Sequence, residues 1–332
     1  MKQYATLHDV ATAAGMSRAQ VSRALRGDPG VKEATRARIA EIARTVGYRP
    51  NIAARTLASA RTTIVGVVIG EPDNPFHISL ASAIETQLLA AGFDAIISMR
   101  GINDASALEE AERLIALRSL AAILISTPHS DDAILKMAGQ MPCVFIGRRT
   151  GHLSVHSISV DDEGGAAQAV EHLVGLGHRR IAHIGSMITA GAIGRTEGYR
   201  RAMAAAGLEP MEYAGPPDST TGRNGADALL ARSRPPTAIF AYNDLIAIGA
   251  MNGLHTRGLR VPDDISVIGF DDTPLAATEM ISLTSLRQNP VEQASAALHA
   301  LQAILRNEPV PGVMIPVELR IRRSVGPPPV RK

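Results

Sequence analysis

The chain has 332 residues, 45% of them hydrophobic and 20% charged, which exceeds the ~100–200 residues of a single domain and excludes both a disordered chain and a collagen-like repeat. One cysteine, Cys143, excludes an intrachain disulfide, a CxxC redox pair and a thiolate zinc cluster, and no apolar run approaches the ~20 residues needed to span a bilayer. The net charge of +2 conceals an asymmetry: residues 1–61 carry eleven Lys and Arg against four Asp and Glu, so a head of +7 precedes a remainder of −5, the pattern of a polyanion-binding module on a carrier that avoids polyanions, or equally of a solvated basic surface.

In chain order, the opening MKQYATLHDVATAAG is charged and polar where a secretory leader would be apolar, so a chain kept in the reducing cytoplasm is expected. Leu7, Val10, Ala11 and Ala14 fall at helical spacing, with Thr6 and Asp9 in capping-box register. Gly15 permits a tight turn, Ser17 and Gln20 form a second capping box, and Met16 with Val21 occupies the positions of a hydrophobic staple. The helix starting at Ser17 turns Val21, Ala24 and Leu25 inward and leaves Arg18, Ala19, Ser22 and Arg23 outward. A third helix, from about Lys32 to Val46, is expected to bury Ile39, Ile42, Ala43 and Val46 and to stop at Gly47. This is the helix-turn-helix pattern, in which the second helix enters the major groove. Periodicity alone favours a small helical bundle without a ligand, because short amphipathic helices are common.

From Ile64 the pattern changes. Apolar runs IVGVVI, DAIISM, AAILIS and CVFIG alternate with helical stretches, and a second series, SISV, RIAHIG, TAIFAY and ISVIGF, does the same. Such alternation implies parallel sheets covered on both faces, and two series imply two lobes. Ligands of open α/β sheets bind beyond the carboxyl ends of the strands. Phe76, Tyr242, Asn243, Phe270 and Asp271 are expected just past those ends, and three of the chain's ten Phe and Tyr residues are among them. Aromatic faces beside amide and carboxylate groups suit a polyhydroxylated small molecule; turn capping by Asp271 and N-capping of a helix at Asp244 by Asn243 are the alternatives. GxxxxGK[ST], GxGxxG, HExxH and GxSxG are absent, so no enzyme, catalytic residue, cofactor or metal is expected. An exported solute-binding protein would share the two lobes but not the basic head.

The run TLHDVATAAGMSRAQVSRALRG, then VKEATRARIAEIARTVGYRPNIAARTLASARTTIVGVV, closely resembles the lac repressor/gal repressor (LacI) family of bacterial transcription regulators. The similarity continues through NPF at Asn74 to Phe76, GHRRIAHIG from Gly177, AYNDLIAIGAM from Ala241, VPDDISVIGFDD from Val261 and LTSLRQ from Leu283, in order over nearly the whole chain. The resemblance implies an α/β protein with a three-helix helix-turn-helix head (1–49), a hinge helix or linker (50–61) and a two-lobed body (62–332) resembling periplasmic binding proteins, with two parallel doubly wound sheets. Lobe 1 would comprise about 62–161 and 291–319, and lobe 2 about 162–290 and 320–332. It further implies a repressor that binds a pseudo-palindromic operator as a homodimer and answers to a sugar-like effector between the lobes.

Carried over by residue, Arg18 and Ala19 stand where the family chooses its bases, Arg23 reaches the major groove, and Ser17, Gln20 and Ser22 anchor phosphates. Arg18 suits bidentate bonds to guanine O6 and N7, and Ala19 an apolar contact such as a thymine methyl. The family commonly has threonine in place of Gln20 and serine in place of Lys32. Asn51 to Ala58, with Asn51, Arg55 and Leu57, resembles the hinge helix that begins after Pro50; it is too short to hold a helix alone in water, and the resemblance implies that Leu57 wedges into the minor groove, packing on the body being the alternative. Arg195, Asn243 and Asp271 match effector positions, whereas Asp161 reads as structural or hinge-forming. The tail RRSVGPPPVRK cannot supply a heptad helix, so a dimer rather than a tetramer is expected.

Overall fold

The computed structural model describes residues 5–48, 62–99, 104–127, 130–147, 156–186, 191–309 and 312–329. Asn51, Arg55 and Leu57, with the rest of the expected hinge, lie outside the described residues. The chain divides into two units, with the boundary between Thr62 and Thr63.

The first unit holds α1 (Leu7–Ala14), α2 (Arg18–Leu25) and α3 (Glu33–Thr45). Both expected capping boxes form: Asp9 accepts from the Thr6 backbone N–H at 2.7 Å, and Gln20 Oε1 accepts from that of Ser17 at 3.1 Å. Helix α3 starts at Lys32 without a side-chain cap. Val10, Ala11, Ala14, Val21, Ala24, Ile39 and Ala43 form the core, while Ile42 and Val46, expected inside, are only half-buried at its rim.

The second unit carries two six-stranded sheets among its described residues. In the first, β1 (Ile64–Ile69) lies between β2 (Asp94–Ser98) and β3 (Ala121–Ile125), followed by β4 (Cys143–Ile146), β5 (His156–Val160) and β11 (Val313–Ile315). In the second, β6 (Ile181–Ser186) lies between β7 (Met211–Gly215) and β8 (Ala238–Ala241), followed by β9 (Ser266–Asp271), β10 (Thr284–Arg287) and β12 (Glu318–Arg320). The strand pairs run parallel except β10 with β12. All residues of β1, β6 and β9 are buried, as strands covered on both faces must be.

Intervening helices cover the faces: α4 (Pro75–Ala90), α5 (Asp104–Ala116) and α6 (Asp131–Gln140) between strands of the first sheet, then α7 (Asp162–Gly175), α8 (Ala192–Ala205), α9 (Ser219–Leu230) and α10 (Asp244–Thr256) in the second half. Helix α11 (Pro290–Leu305) returns to pack on α4, β4 and β5. The chain therefore passes between the halves three times: from β5 to α7, from β10 to α11, and from β11 to β12. Two expectations are corrected. SISV belongs not to the second series but to β5, where Ser157 pairs with Phe145 of β4, because a short apolar run carries no signal of the sheet it joins. Phe270 and Asp271 are the last residues of β9 rather than residues beyond it. Among the described residues no helix is long and apolar enough to cross a membrane.

Candidate functional site

In both sheets the strand order reverses at the first strand of the series, between β1 and β3 and between β6 and β8. Successive crossovers leave in opposite directions there and open a crevice beyond the carboxyl ends. After β1, Asn74 caps α4 by accepting from the Phe76 N–H at 3.0 Å, which fixes Phe76 and His77 in the first turn. After β3 comes Ser126; from the second half come Arg195 on α8, Tyr242 after β8, Asp271 at the end of β9 and Gln288 after β10. All of these line one cleft of about 410 Å³, its open mouth included.

Phe76, Arg195, Tyr242 and Asp271 are thus brought together. Phe270 and Asn243, expected beside them, are not among the lining residues. Phe270 is wholly buried as a floor, with the Arg195 guanidinium carbon 3.6 Å above its ring and 4.5 Å from that of Tyr242. Asn243 is wholly buried as the N-cap of α10, accepting from the Ile246 N–H at 2.9 Å, and its Nδ2 has no partner among the described residues. Capping, one of the two readings of the sequence, occupies its oxygen.

Arg195 donates from Nε to Asp162 at 2.7 Å and from Nη1 to the Tyr242 carbonyl at 2.6 Å, and Nη1 stands 3.9 Å from Asp271. Asp271 accepts from Asn74 Nδ2 at 2.9 Å and from Gln288 Nε2 at 2.6 Å, and Gln293 donates to Gln288 in turn. Burial pushes the Asp162 carboxyl up to about 6, against the pull of Arg195. Burial also raises Asp271 and Glu71, the latter accepting from the Ser126 hydroxyl at 2.9 Å. Burial lowers His77, disfavouring the charged form of its imidazole. For Arg195 burial opposes the charge, but Asp162 foremost among its neighbours outweighs it and holds the guanidinium ionised. The backbone of Asp271 lies at φ +113° and that of Asp272 at +57°, conformations that cost about 1–3 kcal/mol and persist where surroundings enforce them. Such a site can hold hydroxyl groups by exchanging its internal amide–carboxylate bonds for bonds to a ligand.

Sequence reasoning missed Asn74, His77, Asp162, Gln288 and Gln293. Asn74 and Gln288 stood at the ends of the motifs NPF and LTSLRQ, and Asp162 beside Asp161, which itself caps α7 through the Gly164 N–H at 2.9 Å. On the head, Ser17, Arg18, Ala19, Gln20 and Arg23 are exposed and Ser22 is half-buried. The side chains of Ser17 and Gln20 are engaged with each other, and Arg23 Nε is 2.9 Å from Asp28.

A helix-turn-helix head and a doubly wound body with a cleft at its switch points define a ligand-responsive DNA-binding regulator. Residues 6–51 match the model of bacterial regulatory proteins of the lacI family, and residues 170–325 that of the periplasmic binding protein-like domain. The chain is 34% identical to the HTH-type transcriptional regulator GalR of Escherichia coli K12, over 98% of this chain and 96% of that one. Among solved structures, the lac repressor dimer bound to operator and the anti-inducer ONPF superposes with a TM-score of 0.87 at 27% identity, covering 98% of this chain and all of that one. The complex of the transcriptional regulator CelR with cellobiose does so at 0.72 and 28%, covering 96% and 99%. The chain belongs to the lacI family of bacterial regulatory proteins.

Proposed function

We propose that the protein is a repressor, not an enzyme, that binds a pseudo-palindromic operator as a homodimer on chromosomal DNA in the cytoplasm. In this reading residues 1–49 hold the DNA, with Arg18, Ala19 and Arg23 reading bases and Ser17, Gln20 and Ser22 meeting phosphates. Residues 50–61, with Asn51, Arg55 and Leu57, form the hinge. Residues 62–332 dimerise and take a sugar-like effector against Phe76, Arg195, Tyr242 and Asp271, with Phe270 and Asn243 behind them. The lac repressor dimer bound to operator and the CelR–cellobiose complex support it by analogy.

The observation that carries the reading is the cleft itself: an arginine between two aromatic rings, two carboxylates and a set of amides, at the strand ends where an α/β fold receives ligands. The test is a melting-temperature screen of sugars and polyols with the purified chain, repeated with Asp271→Asn, alongside selection of binding sites from random DNA. A two-fold symmetric selected site, together with a sugar whose stabilisation and effect on DNA binding vanish in the variant, is expected. Failure to select any sequence removes the repressor reading. A sugar response unchanged in Asp271→Asn removes the cleft.

A further inference from the structure

Resting on the effector reading of the cleft, we propose that its ligand is uncharged and hydroxyl-rich, and that the cleft rejects the carboxylate- or phosphate-bearing counterparts of the same molecule. Arg195 is the one cationic side chain among the described lining residues. Its Nε is given to Asp162 and its Nη1 to the Tyr242 carbonyl, and both Asp162 and Asp271 lie within 4 Å of it. Glu71, which accepts from the Ser126 hydroxyl, adds a third acidic group, and burial of His77 disfavours a compensating charge on its imidazole. Among the described residues, one cation therefore faces more carboxylates than it can neutralise, out of water, where like charges repel strongly.

An anionic ligand could reach Arg195 only by stripping it from Asp162, leaving one buried carboxylate unpaired beside another negative charge. A hydroxyl meets no such obstacle. It can donate to Asp271 in place of Asn74 Nδ2 or Gln288 Nε2 and accept from the amide it displaces, one hydrogen bond for another. Leu80, Ile125 and Val160 offer apolar contact to the carbon side of a ring.

The test is calorimetric titration of the full chain with neutral sugars and polyols, each beside its uronic acid and its phosphate ester, at fixed pH and ionic strength. We expect binding by at least one neutral compound and at least tenfold weaker binding by its anionic counterparts. In Asp162→Asn, which removes one carboxylate, that gap should narrow severalfold. An anion that binds more tightly than its neutral parent overturns the assignment and leaves the effector role intact. No binding by any compound overturns both while leaving the DNA reading untouched, and an unchanged gap in Asp162→Asn removes the charge argument.

An independent observation in the head carries a second inference, resting on the DNA reading: the geometry points to Asp28 as the residue that positions Arg23 to read a guanine. Asp28 Oδ1 accepts from the Gly30 N–H at 2.8 Å, so the loop fixes the carboxylate; Oδ2 accepts from Arg23 Nε at 2.9 Å, so the carboxylate fixes the guanidinium. Nη2 is 3.5 Å from Asp28, a contact too long to consume it, and the Nη1–Nη2 edge stays available for guanine O6 and N7.

The variant Asp28→Asn keeps an acceptor for the Gly30 N–H and removes the charge pairing. With sites selected from random DNA, Arg23→Ala locates the base pair that Arg23 reads. Asp28→Asn should lose preference at that same pair by about threefold or more, with non-specific binding unchanged or tighter and the melting temperature unaltered. Full retention of preference at that pair, or an equal change for all sequences, overturns the positioning role.

Discussion

At the scale of single residues, Arg195 has two duties. Buried between Asp162 and Asp271, it is a cleft residue and also the counter-charge that lets two carboxylates stay in the interior. Breaking a buried pair from one side leaves an uncompensated charge, so Arg195→Ala should lower the free energy of unfolding by about 3–5 kcal/mol, read by urea denaturation. A loss below about 1 kcal/mol, the range of exposed pairs, would contradict the burial of its charge. Loss of effector response in that variant therefore says little about contact, and Asp271→Asn is the cleaner substitution.

Asp162 makes a pH prediction. Its carboxyl is held at about 6 when folded, above the ordinary value of 3.8. The folded state thus binds the proton more tightly than the unfolded state, and the associated stabilisation is complete below the ordinary value and is lost as pH rises through about 6. Relative to Asp162→Asn, the wild type should lose stability between pH 4 and pH 7, by at most about 3 kcal/mol. A wild type that gains on the variant over that interval would refute the shift. The partners of Asp162 explain why it escaped the sequence: Arg195 stands 33 residues away, and no local pattern announces a contact across that distance. Arg195 was legible only through the resemblance to a family, whereas Asp271 was also legible from its place at the carboxyl end of a strand. Asn243 looked alike as ligand or cap, and packing, not sequence, decides where its oxygen points.

At the scale of elements, what was legible is what is local. Thr6 with Asp9 and Ser17 with Gln20 are three residues apart, and a capping box needs nothing else. Because the Ser17 hydroxyl accepts from the Gln20 N–H at 3.2 Å, Ser17→Ala should cost about 1 kcal/mol, visible as faster amide exchange at the start of α2. Unchanged exchange there would mean that tertiary packing alone holds the helix start. Strands were legible where burial on both faces makes them uniformly apolar, as in β1 and β9. The edge strand β7, MEYAG, and the short β11 and β12 were not, because half-exposed strands of mixed composition lack that signature.

For the whole molecule, the charge asymmetry separates the two tasks. The +7 head must displace condensed counterions to reach phosphates. DNA affinity should therefore fall by about three orders of magnitude between 50 and 200 mM salt if some six phosphates are contacted, whereas sugar binding by an uncharged ligand should hardly move. Equal DNA affinity at both salt concentrations would remove the electrostatic role of the head.

The three crossings between the halves of the body carry a mechanical consequence. In two-lobed proteins that close by a hinge, the few residues joining the halves absorb the change in backbone angles. Asp162 opens the first crossing and Gln288 lies within the second, so two of the side chains that hold Arg195 and Asp271 stand where the halves are joined. A molecule that rearranges those bonds acts on the segments through which either half must turn against the other.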